Sequence, residues 1–121
     1  MPLFRRRQKE PWQPESVLAR QLAMTPQTWA ALQENGVTED TQLQLDFFYL
    51  AESRDQGEEL ARFLRNETDY DVRVEDDSVT GTTQPTTVSA AILDQWVEWM
   101  VYAGAEHGRC EFDGWGAPVP S

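Results

Sequence analysis

The sequence predicts one α+β domain, and three observations support this fold class. A chain of 121 residues is long enough for one hydrophobic core and too short for two. Segments with apolar residues at every second position are separated by segments with apolar residues at helical spacing. Read in order, these segments give β-α-β-β-α-β. Right-handed crossovers then place both helices on one face of a four-stranded antiparallel sheet with strand order 4-1-3-2, which is the ferredoxin-like sandwich.

The first residues of the chain are basic and rich in proline. Arg5, Arg6, Arg7 and Lys9 have no acidic residue among them. Proline and clustered like charges resist regular structure, so we predict a flexible tail over Met1–Pro14. This tail is either a solvated terminus or an arm that contacts RNA, membrane phosphate or an acidic partner.

Residues 15–42 are predicted to form two short helices followed by a polar linker. Leu18 and Leu22 have helical spacing in the first of them. Thr25 and Pro26 have the residue types of an N-cap and a first helical position, so we expect the second helix to begin there. These helices could cover the sheet face that the other two helices leave open.

Residues 43–121 are predicted to form the ferredoxin-like domain. Its first strand is Leu43–Leu50, which alternates at first and then becomes apolar on both faces, as a central strand does. The helix that follows has Ser53 and Asp55 as candidate N-caps and ends near Asn66.

A hairpin and a long helix complete the domain. Tyr70–Val74 alternates, Val79–Thr83 is rich in β-branched residues, and turn-forming acidic residues lie between the two. Ser89 is the predicted N-cap of the long helix, which stops before Gly108. The last segment starts as a short strand at Cys110 and becomes rich in glycine.

Charge and composition exclude several classes of protein. The chain has 21 acidic and 10 basic residues, a net charge of -11, and a surface of this sign repels nucleic acid. Four of the basic residues precede Glu10, so six remain against 21 acidic ones, and the body carries -15. One cysteine, no signal peptide and no apolar run of ~20 residues predict a cytoplasmic protein and exclude a membrane protein.

No constellation of residues indicates catalysis. His107 and Cys110 are the only imidazole and thiol, and both fall at a helix C-terminal end, where the dipole raises the pKa of a thiol. Asp76 and Asp77, with Glu75 before them, could pair as general acid and base or hold a divalent cation. Adjacent carboxylates in a hairpin turn, however, usually form the turn and face water. We therefore expect no enzyme, no metal site and no cofactor.

The aromatic residues are more informative about binding. Trp99 and Tyr102 project from a face of the long helix other than the one that carries Trp96, so they either cover the N-terminal helices or form a contact patch. In Asp113-Gly-Trp-Gly116, the glycines free the backbone on both sides of Trp115. This string predicts an edge-strand bulge that turns Trp115 onto the sheet while Asp113 accepts backbone N–H groups, or a surface anchor for a partner.

The same string carries a resemblance to a known family. Glu111-Phe-Asp-Gly-Trp-Gly-Ala-Pro-Val119, following the helix Leu93-Asp-Gln-Trp-Val-Glu-Trp-Met100, resembles the RraB-like family of protein regulators that inhibit ribonuclease E. Ala31-Leu-Gln-Glu-Asn-Gly36 and Thr38-Glu-Asp40 extend the similarity upstream.

The resemblance implies a ferredoxin-like domain that acts by protein–protein contact. Family members bind the non-catalytic half of ribonuclease E, so the expected partner is ribonuclease E or a related RNA-processing enzyme, bound through the acidic surface. The alternative is a small-molecule-binding sensor or a homodimer, on fold analogy alone. The expected protein-binding residues are Asp113, Trp115, Trp99, Tyr102, Asp76 and Asp77.

Overall fold

The computed structural model describes residues 11–118, which form three helices and six strands. The helices are α1 (Pro14–Glu34), α2 (Arg54–Glu67) and α3 (Ala90–Glu106). The strands are β1 (Gln42–Leu43), β2 (Asp46–Leu50), β3 (Asp71–Glu75), β4 (Ser78–Thr82), β5 (Thr86–Thr87) and β6 (Glu111–Gly116).

Four of the strands form one antiparallel sheet in the order β3-β4-β2-β6. If β2, β3, β4 and β6 are numbered 1 to 4 in chain order, the sheet reads 4-1-3-2 from the β6 edge, which is the strand order expected from the sequence. The short strands β1 and β5 pair with each other in a second antiparallel sheet. The predicted α+β class is confirmed.

The main core lies between the four-stranded sheet and the helices α2 and α3. Phe47 and Tyr49 of β2 are fully buried there, as their alternation in the sequence predicts. The Tyr49 hydroxyl donates a hydrogen bond of 2.7 Å to the Met100 carbonyl oxygen in α3. Burial in this core raises the pKa of Tyr49 well above its usual value, so the hydroxyl stays protonated and can donate.

The predicted single strand Leu43–Leu50 is wrong, because the chain changes partner partway along it. Leu45 is the point of change: its N–H donates to Thr83 Oγ1 at 3.0 Å, and its carbonyl accepts from Thr83 N at 2.9 Å. Residues before this point pair with β5, and those after it pair with β4 and β6. Leu43 and Leu45 are buried in a second, smaller core cluster that also holds Trp29 and Leu93.

The two predicted N-terminal helices are one continuous helix, α1, with Pro26 in its interior. Thr25 is not an N-cap, since its Oγ1 is buried without a hydrogen-bond partner in the described part of the chain. An interior proline costs about 3 kcal/mol, but burial of Val17 and Leu32 contributes about 1.5–3 kcal/mol each. The buried stripe that contains both residues runs along the whole helix and keeps its two halves aligned.

The expectation that this N-terminal part covers the open face of the sheet is also wrong. The principal contacts of α1 are with α3 and with the edge strand β6. Phe48, which points away from α2 and α3, keeps 43% of its surface exposed. The apolar side of α1 packs against the side of α3. The helix therefore lies beside the sheet and does not cover the sheet face that carries Phe48.

The predicted N-caps Ser53 and Ser89 and the predicted hairpin are confirmed, while Asp55, the other candidate cap of α2, lies in its first turn. Ser53 Oγ accepts from Gln56 N at 3.2 Å, and Ser89 Oγ accepts from Ile92 N at 3.2 Å. The strands β3 and β4 are joined by a two-residue turn, in which Asp76 has a φ of 54°.

The predicted tail falls partly outside the described residues. Of Met1–Pro14, residues 1–10 are not described. Trp12 packs against the main core, and the Arg109 guanidinium lies 4.4 Å from its ring centroid. Arg109 Nη2 also donates a hydrogen bond of 2.8 Å to the Trp12 carbonyl oxygen. The chain is therefore fixed to the domain at Trp12, before α1 begins.

We expect Gly104→Ala to destabilise the fold although alanine is the better helix former. A Cβ at Gly104 would lie 2.5 Å from the Cys110 carbonyl oxygen and 2.5 Å from Tyr49 Cε2. Overpacking of this kind costs about 1–3 kcal/mol, more than the ~1 kcal/mol gained in helix propensity. Gly116→Ala, where nothing lies within 4 Å, is the control. Denaturant unfolding should show a loss for Gly104→Ala alone, and equal stabilities of the two variants would contradict the packing described.

Candidate protein-interaction surface

The edge strand β6 contains a β-bulge at the Asp-Gly-Trp-Gly string. Tyr49 pairs with Phe112, while the preceding Phe48 pairs with Gly114, so Asp113 is the extra residue. Gly114 has a φ of 127°, a conformation that residues with a side chain rarely adopt. The bulge predicted from the sequence is therefore present, and it depends on this glycine.

The bulge decides which way Trp115 points. Without the extra residue, Phe112 and Trp115 would face opposite sides of the sheet; with it, Trp115 lies opposite Phe47 on the side of the helices. Its half-buried ring packs against both core clusters and lies edge-on to Trp96, with 6.1 Å between ring centroids. Trp115 thus joins β6 to α3.

Asp113 points the other way and is exposed. The prediction that its carboxylate accepts backbone N–H groups is wrong, since it has no hydrogen bond within residues 11–118. It lies instead at a groove of about 280 Å³, here called the motif groove. The walls of this groove are Gln21, Met24 and Thr28 from α1, Phe48 from β2 and the segment Asp113–Trp115.

Two apolar side chains in this groove are open to solvent. Met24 is 55% exposed and Phe48 is 43% exposed. Neither residue was predicted from the sequence as a binding residue, although the apolar run around Phe48 indicated a strand that is apolar on both faces. Exposed apolar side chains that lie together and are rimmed by polar groups are typical of protein-binding surfaces.

Phe48 also lies at the centre of the sheet face turned away from α2 and α3, here called the outer sheet face. Its other members follow from the strand register and the alternation of burial along each strand. They include Asp46, Leu50, Asp71, Arg73, Glu75, Ser78, Thr80, Thr82, Glu111 and Asp113.

The charge of the outer sheet face is predominantly negative. Arg73 is its one basic residue among the described strands. Arg20 of α1 reaches the rim and lies 3.3 Å from Glu111 Oε2. Asp46 accepts a hydrogen bond of 2.9 Å from Thr82 Oγ1, whereas Asp113 has no hydrogen bond to the part of the chain that the structure describes. A face that presents five carboxylates and one arginine beside an exposed aromatic ring attracts a cationic partner.

The predicted binding residues Trp99 and Tyr102 lie elsewhere, in the helix layer. Trp99 is 41% exposed and stacks on Phe63 of α2 at 6.0 Å, so it rests on a neighbouring core helix. Phe63 in turn stacks on His107 at 3.6 Å. Tyr102 is half-buried and lies about 180° around α3 from the buried Leu93.

A second cleft lies in the helix layer, near the start of α3. Its volume is also about 280 Å³, and Tyr70, Pro85, Ile92 and Trp96 are among its walls. Trp96 Nε1 donates a hydrogen bond of 3.0 Å to the Tyr70 hydroxyl oxygen. Burial raises the pKa of Tyr70 and so keeps its hydroxyl protonated. This pocket is here called the Tyr70 cleft.

Asp76 and Asp77 form the turn between β3 and β4, as predicted, and both are exposed. The Asp77 carbonyl accepts from Ala51 N at 2.7 Å, which ties the turn to the end of β2. The six residues expected to bind a partner therefore do not form one patch. Asp113 and Trp115 share the motif groove, and the other four lie at the hairpin tip or in the helix layer.

His107 and Cys110 do not form a nucleophile and its base. Cys110 is fully buried, and burial together with the carboxylates of Glu59 and Glu52 raises the pKa of its thiol to about 12. The thiol therefore stays protonated near neutral pH. Within residues 11–118 there is no group of three potential metal ligands, and no helix there is long and apolar enough to cross a membrane.

We expect Trp115→Ala to cost more stability than Trp99→Ala. Trp115 contacts both core clusters, whereas Trp99 is 41% exposed. A fully buried tryptophan is worth ~3–5 kcal/mol, so half-buried Trp115 should lose about 2 kcal/mol or more and Trp99 about 1 kcal/mol. Chemical denaturation of both variants tests this order, and a larger loss for Trp99→Ala would contradict the placement of Trp115.

Comparison with known families now assigns the chain. A family model described as regulator of ribonuclease activity B, RraB, matches residues 22–117. The match includes most of α1, all six strands and both core helices. Comparison with curated proteins finds no match. Since the family model spans most of its length, this chain belongs to the RraB family of ribonuclease regulators.

Proposed function

We propose that this chain is a non-enzymatic regulator that binds ribonuclease E, or a related RNA-processing enzyme, through its outer sheet face and motif groove. The observation that carries the proposal is the exposed ring of Phe48 on a sheet face that presents five carboxylates and one arginine. The family as a whole regulates ribonuclease activity, so a ribonuclease is the natural class of partner.

The architecture proposed for the binding unit is the ferredoxin-like sandwich formed by β2, α2, β3, β4, α3 and β6. The strand order β6-β2-β4-β3 and the burial of Phe47 and Tyr49 against α2 and α3 support it. In this arrangement one sheet face carries no helix. The binding surface is that free face.

The chemistry of the surface defines a partner segment that is both basic and apolar. Phe48 and Met24 would contact an apolar side chain, because both lie open in the motif groove. Asp113, Asp71 and Glu75 would contact arginine or lysine side chains at the rim. Rim charges act mainly on association rate and specificity, so the complex should weaken as salt rises.

A non-catalytic role is consistent with the described side chains. The single thiol is buried and protonated, and its neighbour His107 is stacked on Phe63. Membership of a family of ribonuclease regulators supports the same non-catalytic role. Inhibition would then follow from occupying a surface of the ribonuclease and not from chemistry on RNA.

We expect Phe48→Thr and Asp113→Asn to weaken binding to the non-catalytic half of ribonuclease E. Threonine keeps the β-propensity of the strand while removing the ring, and a loss of about tenfold in affinity corresponds to ~1.4 kcal/mol. Asp113→Asn should weaken binding less and also reduce the dependence of affinity on salt. Titration calorimetry at low and raised salt measures both effects.

Matched controls for these variants lie on the helix layer. Ile92→Gln removes an apolar side chain that is 47% exposed, and Glu98→Gln removes one exposed carboxylate. Both should bind as the unsubstituted chain does. Equal losses for the controls and the outer-face variants, with folding intact, would refute the proposed surface. No binding by the unsubstituted chain at low salt would refute the proposed partner.

The Tyr70 cleft favours one other function, a small-molecule sensor. Its walls include Tyr70, Trp96 and Ile92, and its volume of about 280 Å³ is near the lower size of ligand pockets. A metabolite bound there would raise the melting temperature of the chain, and Ile92→Gln would reduce that rise. A thermal-shift screen in which no metabolite changes the melting temperature would exclude this function for the compounds tested.

A further inference from the structure

We propose that the basic N-terminal segment of this same chain, Met1–Lys9, docks on the outer sheet face. The proposed function leaves one feature unused, the cluster of four basic residues at the start of the sequence. The proposal joins this cluster to the outer sheet face, on which the proposed function also rests.

The face needs a cover because it is partly apolar. Phe48 is 43% exposed, and Leu50 beside it is only half-buried. The helix α1 borders the face along β6 and does not lie across it. A second copy of the chain is disfavoured as the cover, because each body carries -15 and the faces would repel each other.

The opposite charges of the N-terminal segment and the outer sheet face favour this segment as the occupant of the face. Arg5, Arg6, Arg7 and Lys9 have no acidic residue among them. The outer sheet face presents five carboxylates against one basic residue, Arg73, and Arg20 at its rim already pairs with Glu111 at 3.3 Å. Leu3 and Phe4 precede the arginines and supply apolar side chains for the exposed ring of Phe48.

The described chain starts near the β6 edge of this face. Trp12 is held by Arg109, which lies two residues before Glu111, the first residue of β6. Glu111 pairs with Leu50 at the edge of the outer sheet face. Six residues lie between Phe4 and Pro11, and the seven extended steps from one to the other span up to ~24 Å. Four strands at ~4.8 Å spacing are about 15 Å across, so Phe4 can reach every strand of the face.

Docking of this segment would regulate the proposed binding site, a consequence that rests on the proposed function. A basic partner and the basic segment would compete for Phe48 and the same carboxylates. The segment is tethered, so it competes at a high effective concentration. The segment would thus occupy the binding surface until a partner with stronger contacts displaces it.

Paramagnetic broadening tests the docking without any partner. A nitroxide is attached to Pro2→Cys in the full chain, and Cys110 stays unlabelled because it is buried and protonated. The amide signals of Phe48 and Thr80 should broaden, while those of Arg62 and Glu98 in the helix layer should not. The matched control is the same labelled chain with Arg5→Gln, Arg6→Gln and Arg7→Gln, in which the selective broadening should be lost.

Two results would overturn the proposal. One is equal broadening of the outer sheet face and the helix layer, which indicates a segment without a preferred site. The other is selective broadening that persists in the triple variant at raised salt, which indicates that the arginines do not hold the segment.

Affinity for ribonuclease E tests the regulatory consequence. If the segment covers the face about nine-tenths of the time, the triple glutamine variant should bind the non-catalytic half roughly tenfold more tightly. Equal or weaker binding would contradict competition. If neither chain binds, the proposed partner fails, and the broadening experiment still decides whether the segment docks.

Discussion

The register shift between β2 and β6 is the constraint on which both sides of this domain depend. One extra residue, Asp113, reverses the alternation of side chains along the rest of β6. Trp115 therefore faces the helices, where it meets Trp96, and Asp113 lies at the solvent groove. The shift requires a backbone conformation that favours glycine, and Gly114 provides it. The same local feature thus fixes the edge strand and supplies part of the proposed binding surface.

The position of α1 has an equally direct effect on function. A helix with a buried stripe along its whole length needs one long apolar partner, and the flank of α3 provides it. The helix therefore extends the helix layer and only borders the sheet. Phe48 and its surrounding carboxylates remain accessible, which a helix laid across the sheet would have prevented. The proposed binding of a basic segment, from a partner or from the chain itself, requires that this face be accessible.

Local features of the fold could be predicted from the sequence because they depend on near neighbours. The caps Ser53 and Ser89, the turn at Asp76 and the bulge at Gly114 each rest on the chemistry of a few adjacent residues. The inward face of β2 was predictable for the same reason, since Phe47 and Tyr49 alternate with outward residues.

Features that depend on distant contacts could not be predicted in the same way. The interruption at Leu45 is set by Thr83, which is far away in the sequence. The continuity of α1 through Pro26 is decided by packing against α3, which overrides the local preference for a helix start. Met24 escaped notice as a surface residue because its exposure follows from where α1 lies, and Trp99 rests on Phe63 because α2 and α3 are neighbours.

We expect a partner ribonuclease to bind the outer sheet face, and chemical-shift mapping of the complex tests this most directly. The amide signals of this chain would be recorded with and without the non-catalytic half of ribonuclease E. The predicted result is a set of shifts centred on Phe48, Thr80 and Asp113, with the exposed helix residues Arg62 and Glu98 unchanged. Shifts centred on Trp99, Tyr102 and the Tyr70 cleft would contradict the account and move the binding surface to the helix layer.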